Sequence, residues 1–340
     1  NVSVIDDEAF YGCIGLKTGY FPRGLQYIGA YAFSGCENLT AAYFKGNALP
    51  QYMWGDGVFS GTPEGFVLYF PQGNNSGWKT PSWKAPDGTV YRTDTFLPAM
   101  WEYEICGDGT VAVITGWNGT SADVTVPQDI DGYTVVGIAG HTFEDITLIR
   151  TVVLPDTVVS IGDYAFAQCS RITSVVLPES LTEIGDSAFS GCVKLAGVEM
   201  PDALEKIGDN AFYECKLLTE IRFHEGLLYI GTEAFRYCTG LVLLTMPDTV
   251  VSIGQAAFAD CTALESAVLS AGLSEIPPQM FSDCTSLRSA EIPEAVQCIG
   301  SQAFYNCGVM TELILPEGLE EIGGSAFRYC VGLTEVILPD

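Results

Sequence analysis

A repeat of 23 residues runs through most of this 340-residue chain and restricts the fold to an array of stacked, similar coils. Phenylalanine returns every 23 residues from Phe143 onwards, and an earlier series is spaced by 23 and then 26 residues. A unit this short cannot bury its own apolar residues, so neighbouring units must stack to form one continuous core. The twelve repeat phenylalanines are Phe10, Phe33, Phe59, Phe143, Phe166, Phe189, Phe212, Phe235, Phe258, Phe281, Phe304 and Phe327.

Two further residue types keep the same register. Cysteine stands three residues after the phenylalanine in ten units, and Thr62 and Ile146 take that position in the other two. Proline stands twelve residues after the phenylalanine in nine units. A register shared by three residue types is typical of a solenoid, in which each coil occupies the same structural positions as the next.

Each unit contains one predicted strand and one predicted helical turn. In the unit around Phe189, apolar and polar residues alternate over residues 195–200 and end at Pro201, as in a short half-buried strand. Gly185 opens residues 185–189, which we interpret as the first turn of a short helix. Pro277 fills the glycine position in another unit, and proline cannot adopt positive φ, so a left-handed turn is not expected at this position.

The consensus L-x-x-I-G-x-x-A-F-x-x-C-x-x-L-x-x-V-x-L-P resembles the leucine-rich repeat of the BspA-like bacterial surface proteins. The resemblance covers residues 1–71 and 122–340. It implies an α/β-type leucine-rich repeat solenoid with short parallel strands and short helical turns. It also implies a protein that is extracellular or displayed on the cell surface, and several family members are thought to bind host or matrix proteins.

The repeat is interrupted between the two series of phenylalanines. We predict a first leucine-rich repeat array at 1–71, an aromatic connector with a β-hairpin cap at 72–121, and a second array at 122–340. The hairpin is predicted around Gly107 and Gly109, between two runs of strand-forming residues. Because the chain begins without methionine and ends inside the repeat pattern, we expect it to be part of a longer protein, with its signal and anchor elsewhere.

The repeat cysteines are predicted to be buried free thiols. Equivalent residues of stacked coils lie about 4.8 Å apart, within reach of a disulfide, but their parallel Cβ vectors disfavour the bond. Ile146 in the cysteine position also favours burial, because a free cysteine behaves as a small apolar residue. Cysteines that are 23 residues apart and lack histidine partners do not have zinc-ligand spacing, so we expect no metal or cofactor.

Charge and composition exclude several classes of function. With 42 acidic and 15 basic residues the net charge is -27, which opposes binding to nucleic acid or anionic lipid. No apolar run approaches the ~20 residues of a membrane span. Only His141 and His224 are available as histidines, and they are far apart, so no catalytic function is predicted. Asp163, Asp186 and Asp209 each follow a glycine and offer carboxylates to calcium, but later units lack this aspartate, so no calcium site is predicted.

The outward positions of the predicted strands form the candidate protein-binding face, because a solenoid aligns them in parallel rows. We predict non-enzymatic protein binding or adhesion through this face, with a host, matrix or other surface protein that carries a basic patch as partner. The rows from residue 151 onwards contain no Trp, Tyr or Phe, and strand propensity alone also explains their Val and Thr residues. The candidate contact residues are Glu199, Arg222, Thr245, Val268 and Glu291.

Two alternative functions remain open on sequence alone. All five tryptophans lie in or beside the connector, where they suit either the sealing of a solenoid end or the stacking of a sugar. If Trp78, Trp83 and Trp101 are exposed and aligned, a carbohydrate-binding surface protein becomes the alternative. The other alternative is a structural stalk that presents a different domain and binds nothing itself.

Overall fold

The computed structural model of the protein describes residues 2–22, 24–46, 48–71, 77–96 and 100–339. The chain forms two compact units, Asn1–Ala99 and Met100–Asp340, and each has a hydrophobic core of its own. The segment 72–121, interpreted above as a connector, is divided between these units. Trp78 and Trp83 belong to the first unit, whereas Trp101 belongs to the second.

The first unit is built around a five-stranded sheet. Within the described residues its one helix is a short 3-10 turn, Gln51–Met53. The strands are β1 Val4–Ile5, β2 Thr18–Phe21, β3 Tyr27–Ile28, β4 Ala41–Phe44, β5 Val67–Pro71, β6 Ser82–Lys84 and β7 Val90–Phe96. The sheet has the order β2-β4-β5-β7-β6 and is parallel except for the β6–β7 pair, while β1 and β3 form a separate parallel pair.

The second unit opens with an antiparallel hairpin that covers the first coil of its core. The two hairpin strands pair from Trp101 opposite Trp117 to the turn, and both indoles pack on Phe143 with ring centroids 6.2 and 6.1 Å away. The last hairpin strand pairs in parallel with the strand that begins the repeating ladder. The strands of this opening segment are β8 Trp101–Cys106, β9 Val111–Trp117, β10 Asp123–Thr125, β11 Asp129–Ile130 and β12 Tyr133–Ile138.

The remainder of the second unit is a β-solenoid of stacked parallel strands, in which the coils contribute to two ladders. In the ladder of three-residue strands the hydrogen-bonded pairing is broken between residues 176 and 197 and between residues 222 and 243. The three-residue strands of one ladder follow the alternation predicted from sequence. They are β13 Thr151–Val153, β15 Ser174–Val176, β17 Gly197–Glu199, β19 Glu220–Arg222, β21 Leu243–Thr245, β23 Ser266–Val268 and β25 Ser289–Glu291. The two-residue strands of the other ladder are β14 Ser160–Ile161, β16 Glu183–Ile184, β18 Lys206–Ile207, β20 Tyr229–Ile230, β22 Ser252–Ile253, β24 Glu275–Ile276, β26 Cys298–Ile299 and β27 Glu321–Ile322.

The segment around each phenylalanine is a pair of tight turns, so the predicted helical turn is wrong. In all twelve units the residues two before and two after the phenylalanine have positive φ, for example 55° at Asn210 and 58° at Glu214. The amides of Asn210, Phe212 and Glu214 donate to carbonyls of the next coil at 2.7–2.9 Å. Hydrogen bonds between coils therefore replace those within a helix and hold these non-glycine residues in the left-handed region.

The glycine that precedes these turns allows the coils to approach closely. Pro277, in the equivalent position of another unit, predicted that this position has no positive φ, and Gly208 has none. The amide of Gly208 donates to the carbonyl of Ile184 at 2.8 Å. A Cβ at Gly208 would lie 2.7 Å from the backbone nitrogen of Asp186 and from the carbonyl carbon of Gly185. At this point the backbones of successive coils leave no room for a side chain.

Proline in this position separates two neighbouring coils. Pro277 has no amide hydrogen to donate to the preceding coil, and the ladder of two-residue strands divides between Ile253 and Ile276. The ring centroids of Phe258 and Phe281 lie 6.0 Å apart at 21°, compared with 5.3 Å and 6° for the preceding pair. The extra ring atoms of proline thus loosen the stack at one coil boundary.

The phenylalanines form a stacked column in the core of the second unit, which confirms the register taken from sequence. Rings from Phe143 to Phe304 are fully buried, and neighbouring centroids lie 4.8–6.0 Å apart. Phe327 is half-buried, and Phe10 in the first unit is exposed. Each interior ring therefore contacts one ring above and one below, so coils support their neighbours.

Candidate functional site

The five predicted contact residues lie in one exposed row on the ladder of three-residue strands, here named the outward row. Glu199 pairs with Arg222 across neighbouring strands, and Val268 pairs with both Thr245 and Glu291. All five side chains are exposed, whereas the residue before each of them is buried. The strand alternation that buries one face of this ladder therefore presents the outward row on the other.

The electrostatics of the outward row are acidic. Arg222 donates from Nε to Glu220 at 2.8 Å, and this hydrogen bond raises the pKa of its guanidinium. The cation is thus paired within the face, whereas Glu199 and Glu291 form no ion pair among the residues that the structure describes. A partner with basic side chains would find two unpaired carboxylates on this surface.

The tryptophans proposed for sugar stacking are core residues. Trp78 and Trp83 are only 5% and 7% exposed, and their ring centroids lie 4.7 Å apart. The indole of Trp78 donates to the carbonyl of Gly46 at 3.1 Å. Trp101, in the other unit, is half-buried against Phe143. These rings seal cores, as the capping interpretation of the tryptophans expects, and they offer no exposed aligned platform.

A row of tyrosines on the first unit was missed from sequence. Tyr20, Tyr43 and Tyr69 pair across neighbouring strands and stack with centroids 5.1 and 4.7 Å apart. Tyr20 is 72% exposed, and the other two are half-buried. This tyrosine row stands ten residues after the first three repeat phenylalanines and so carries their 23 and 26 residue spacing. That shared spacing is the sequence signal that could have revealed it.

Nine of the ten repeat cysteines, all except Cys13, are free thiols that donate to a backbone carbonyl of the preceding coil. The Sγ of Cys215 lies 3.3 Å from the carbonyl oxygen of Phe189, and that oxygen also accepts the amide of Cys192 at 3.1 Å. All twelve cysteines are free, and nine of the ten repeat cysteines are buried. Burial raises the pKa of the Cys169 thiol to about 12 and holds that of Cys238 well above its ordinary value. Such neutral thiols are poor nucleophiles and poor metal ligands.

Other reactive groups are paired locally. His141 contacts Glu144 and His224 contacts Asp202, each at 2.7 Å. The aspartate considered for calcium, Asp186, accepts the amide of the next coil at 2.9 Å and so belongs to the backbone network. Within the described ranges of the chain, no three His, Cys, Asp or Glu side chains are grouped as a metal site would require.

One shallow groove lies on the turn side of the second unit. It is lined by polar residues that include Arg236, Asp260, Gln279 and Asp283. Arg236 donates to Asp260 at 3.0 Å and to Glu233 at 2.7 Å, and its guanidinium lies 4.9 Å from the centre of the Tyr237 ring. Asp283 accepts from the Asn306 side chain at 2.9 Å, so the charged groups of this groove are held by local hydrogen bonds and ion pairs.

In the portion of the chain that is described, none of the helical structure has the length and apolar character needed to cross a bilayer.

Several solved structures of bacterial proteins are similar to this chain. A leucine-rich repeat protein of T. pallidum is 30% identical over 63% of this chain and 90% of its own, with a TM-score of 0.49. A leucine-rich cell surface protein of Faecalibacterium prausnitzii is 23% identical over 70% and 93%, with a TM-score of 0.33. The pneumococcal vaccine antigen PcpA is 20% identical over 66% and 76%, with a TM-score of 0.45.

The sequence family is shown by the repeat itself. No curated protein matches the chain. The BspA type leucine-rich repeat region matches in six copies over residues 1–62, 136–265 and 230–340, which together cover most of the sequence. These are the residues whose phenylalanines, cysteines and close-packed glycines build the two solenoid cores. The chain therefore belongs to the BspA-type leucine-rich repeat family.

Proposed function

We propose that this chain is a non-enzymatic, extracellular protein-binding and adhesion module of a bacterial surface protein, and that the outward row makes the contact. The observation that carries the proposal is a row of exposed side chains on stacked strands, paired within β17-β19 and within β21-β23-β25, with Glu199 and Glu291 at its two ends and in no ion pair among the described residues. The seven three-residue strands from β13 to β25, about 4.8 Å apart, give a surface about 30 Å long, comparable to one side of a standard interface. Little ordering entropy is lost on binding, because the side chains project from a stacked core.

The partner that fits this face is a host, matrix or other surface protein with a basic patch. Complementary charge mainly raises the association rate, and salt screens it. We therefore expect binding to weaken as ionic strength rises, with the larger change in the association rate.

The test is charge reversal on the outward row. Glu199→Lys combined with Glu291→Lys should reduce binding to immobilised purified matrix proteins and adhesion to cells, without loss of thermal stability. The matched control is Glu205→Lys combined with Glu320→Lys, which makes the same change in net charge at exposed positions outside the row. Equal binding by both double variants would remove the outward row as the contact site. No binding by the unmodified chain would favour the structural stalk.

A further inference from the structure

The tyrosine row provides a second exposed surface whose chemistry differs from that of the outward row. Tyr20 and Tyr69 stand two residues before a proline, as Glu199 does in the second unit, so the two rows occupy equivalent positions of the repeat. Tyrosine is a frequent hot-spot residue at protein interfaces, because a large ring with few rotatable bonds loses little entropy on binding. Here stacking on the neighbouring ring already fixes the orientation.

The stacking geometry determines which part of each ring a ligand can reach. The rings of the tyrosine row are nearly parallel, with interplanar angles of 16° and 11°, and their centroids are about one strand spacing apart. Each pair of neighbouring rings therefore covers the faces that point towards each other. A sugar, which stacks on a ring face, has no access to the faces inside the row. The accessible parts are the ring edges and hydroxyl groups. Ring edges carry partial positive charge, so they attract carbonyl and carboxylate oxygens.

Two unpaired cations continue the row diagonally across the sheet. Val67 stands two residues before Tyr69 on β5, and Arg92 of β7 lies opposite Val67. On the other side of β7, Ser82 of β6 lies opposite Arg92. Lys84, two residues beyond Ser82, is exposed, as is Arg92. Neither cation has an ion-pair partner among the described residues.

The first unit also differs in charge from the rest of the chain. Residues 1–99 carry 8 acidic and 6 basic side chains, a net charge of -2, whereas residues 100–340 carry 34 and 9, a net charge of -25. Asp94 lies opposite Tyr69 and is the acid adjoining this end of the row. An anionic ligand is therefore favoured on the Arg92 side. At physiological salt, charges more than about 8 Å away are largely screened, so the charges beside the row decide the interaction, and there Arg92 and Lys84 outnumber Asp94.

We propose that the tyrosine row, with Arg92 and Lys84, binds an extended acidic segment of a partner protein. The backbone carbonyls of that segment lie over the tyrosine edges and hydroxyls, and its carboxylates pair with the two cations. The surface crosses five strands, about 19 Å, which an extended chain spans with about six residues. The inference rests on the interaction role proposed above, but it uses a different unit and a ligand of opposite charge.

The test uses the full 340-residue chain and two labelled synthetic peptides of eight residues, one of alternating Glu and Ser and one of alternating Gln and Ser. At 0.1 M NaCl, fluorescence anisotropy should show the Glu peptide binding at least tenfold more tightly than the Gln peptide. Arg92→Gln combined with Lys84→Gln should remove that preference. The matched control is Arg171→Gln combined with Arg288→Gln, which removes two exposed cations from the second unit and should leave the affinity unchanged.

Tyr20→Ser tests the aromatic part of the surface, because this ring is mostly exposed and its loss should not unfold the unit. A severalfold loss of affinity for the Glu peptide supports the proposal. The proposal is overturned by equal affinity for the two peptides, by unchanged binding after the Arg92 and Lys84 substitutions, or by binding of heparin with no binding of either peptide. Failure here is separable from failure of the proposed function, since Glu199 and Glu291 are unchanged in these variants.

Discussion

At the scale of single residues, cysteine occupies its repeat position because its thiol donates to a backbone carbonyl of the preceding coil. The oxygen of Phe189 accepts the amide of Cys192 in its own coil and the thiol of Cys215 in the next coil. A small apolar side chain with one weak donor suits that position, and serine would be more costly to desolvate. Ile146 occurs in the coil of Phe143, the first repeat phenylalanine of the second unit, where no repeat coil precedes it to need a donor.

Because the repeat cysteines are buried as neutral thiols, we expect the free energy of unfolding to fall at alkaline pH. The pKa of Cys238 is raised by burial, so the native thiol keeps its proton while the unfolded thiol, with an ordinary pKa of 9.0, releases it. The unfolded state then binds fewer protons, and the free energy of unfolding falls by up to about 1.4 kcal/mol per pH unit for each such thiol above pH 9. Below pH 9 these thiols contribute no slope.

Urea denaturation between pH 7 and 11 measures this slope. Cys238→Ser should show a shallower fall in the free energy of unfolding than the unmodified chain, because serine does not titrate in this range. Superimposable slopes for the two proteins would show that Cys238 titrates alike in the folded and unfolded states.

At the scale of structural elements, the glycine before the paired turns is fixed by the distance between coils. Gly208→Ala places a Cβ 2.7 Å from backbone atoms of the preceding coil, and relieving this overlap should cost about 1–3 kcal/mol. Gly197→Ala is the matched control, since a Cβ there meets no atom within 4 Å and the position is exposed on a strand. Urea denaturation should separate the two variants, and equal midpoints would contradict the close-approach explanation.

The accuracy of prediction at this scale depended on whether the determining contacts were local. The strand at Gly197–Glu199 was predictable because side-chain alternation is visible within one unit. The two-residue strand Glu183–Ile184 is too short to show a period, and it exists because the next coil pairs with it. The paired turns were mistaken for a helix because residues such as Asn210 adopt positive φ only with hydrogen bonds from a neighbouring coil.

The candidate surfaces show the same limit. The outward row could be placed from sequence, because alternation decides which strand residues face outward. The tyrosine row was not predicted, although the same alternation places Tyr20, Tyr43 and Tyr69 outward, with the 23 and 26 residue spacing of the first unit. Burial of Trp78 and Trp83 could not be deduced, since it depends on how residues far apart in sequence fold over the core.

At the scale of the whole molecule, stacking makes stability depend on position along the solenoid. Phe235 is fully buried between two rings at 5.2 and 5.3 Å, so Phe235→Ala should cost about 3–5 kcal/mol. Phe327 is half-buried and stacks on one ring, so Phe327→Ala should cost clearly less. Urea denaturation of both variants checks this order. A loss below about 1 kcal/mol for Phe235→Ala would contradict the stacked column as the source of stability.

The uneven charge predicts that salt stabilises the two units to different degrees. Residues 100–340 carry a net charge of -25, and self-repulsion in so acidic a unit opposes the compact state, whereas residues 1–99 carry only -2. Raising NaCl from about 0.02 M to about 0.5 M shortens the screening length from over 20 Å to under 5 Å. Hydrogen exchange should then slow more in the second unit than in the first, which serves as the internal control. Glu205→Lys with Glu320→Lys should reduce that difference, because it removes four units of negative charge. Equal slowing of both units would mean that apolar burial, strengthened by salt in either core, outweighs charge repulsion in setting the stability of this solenoid.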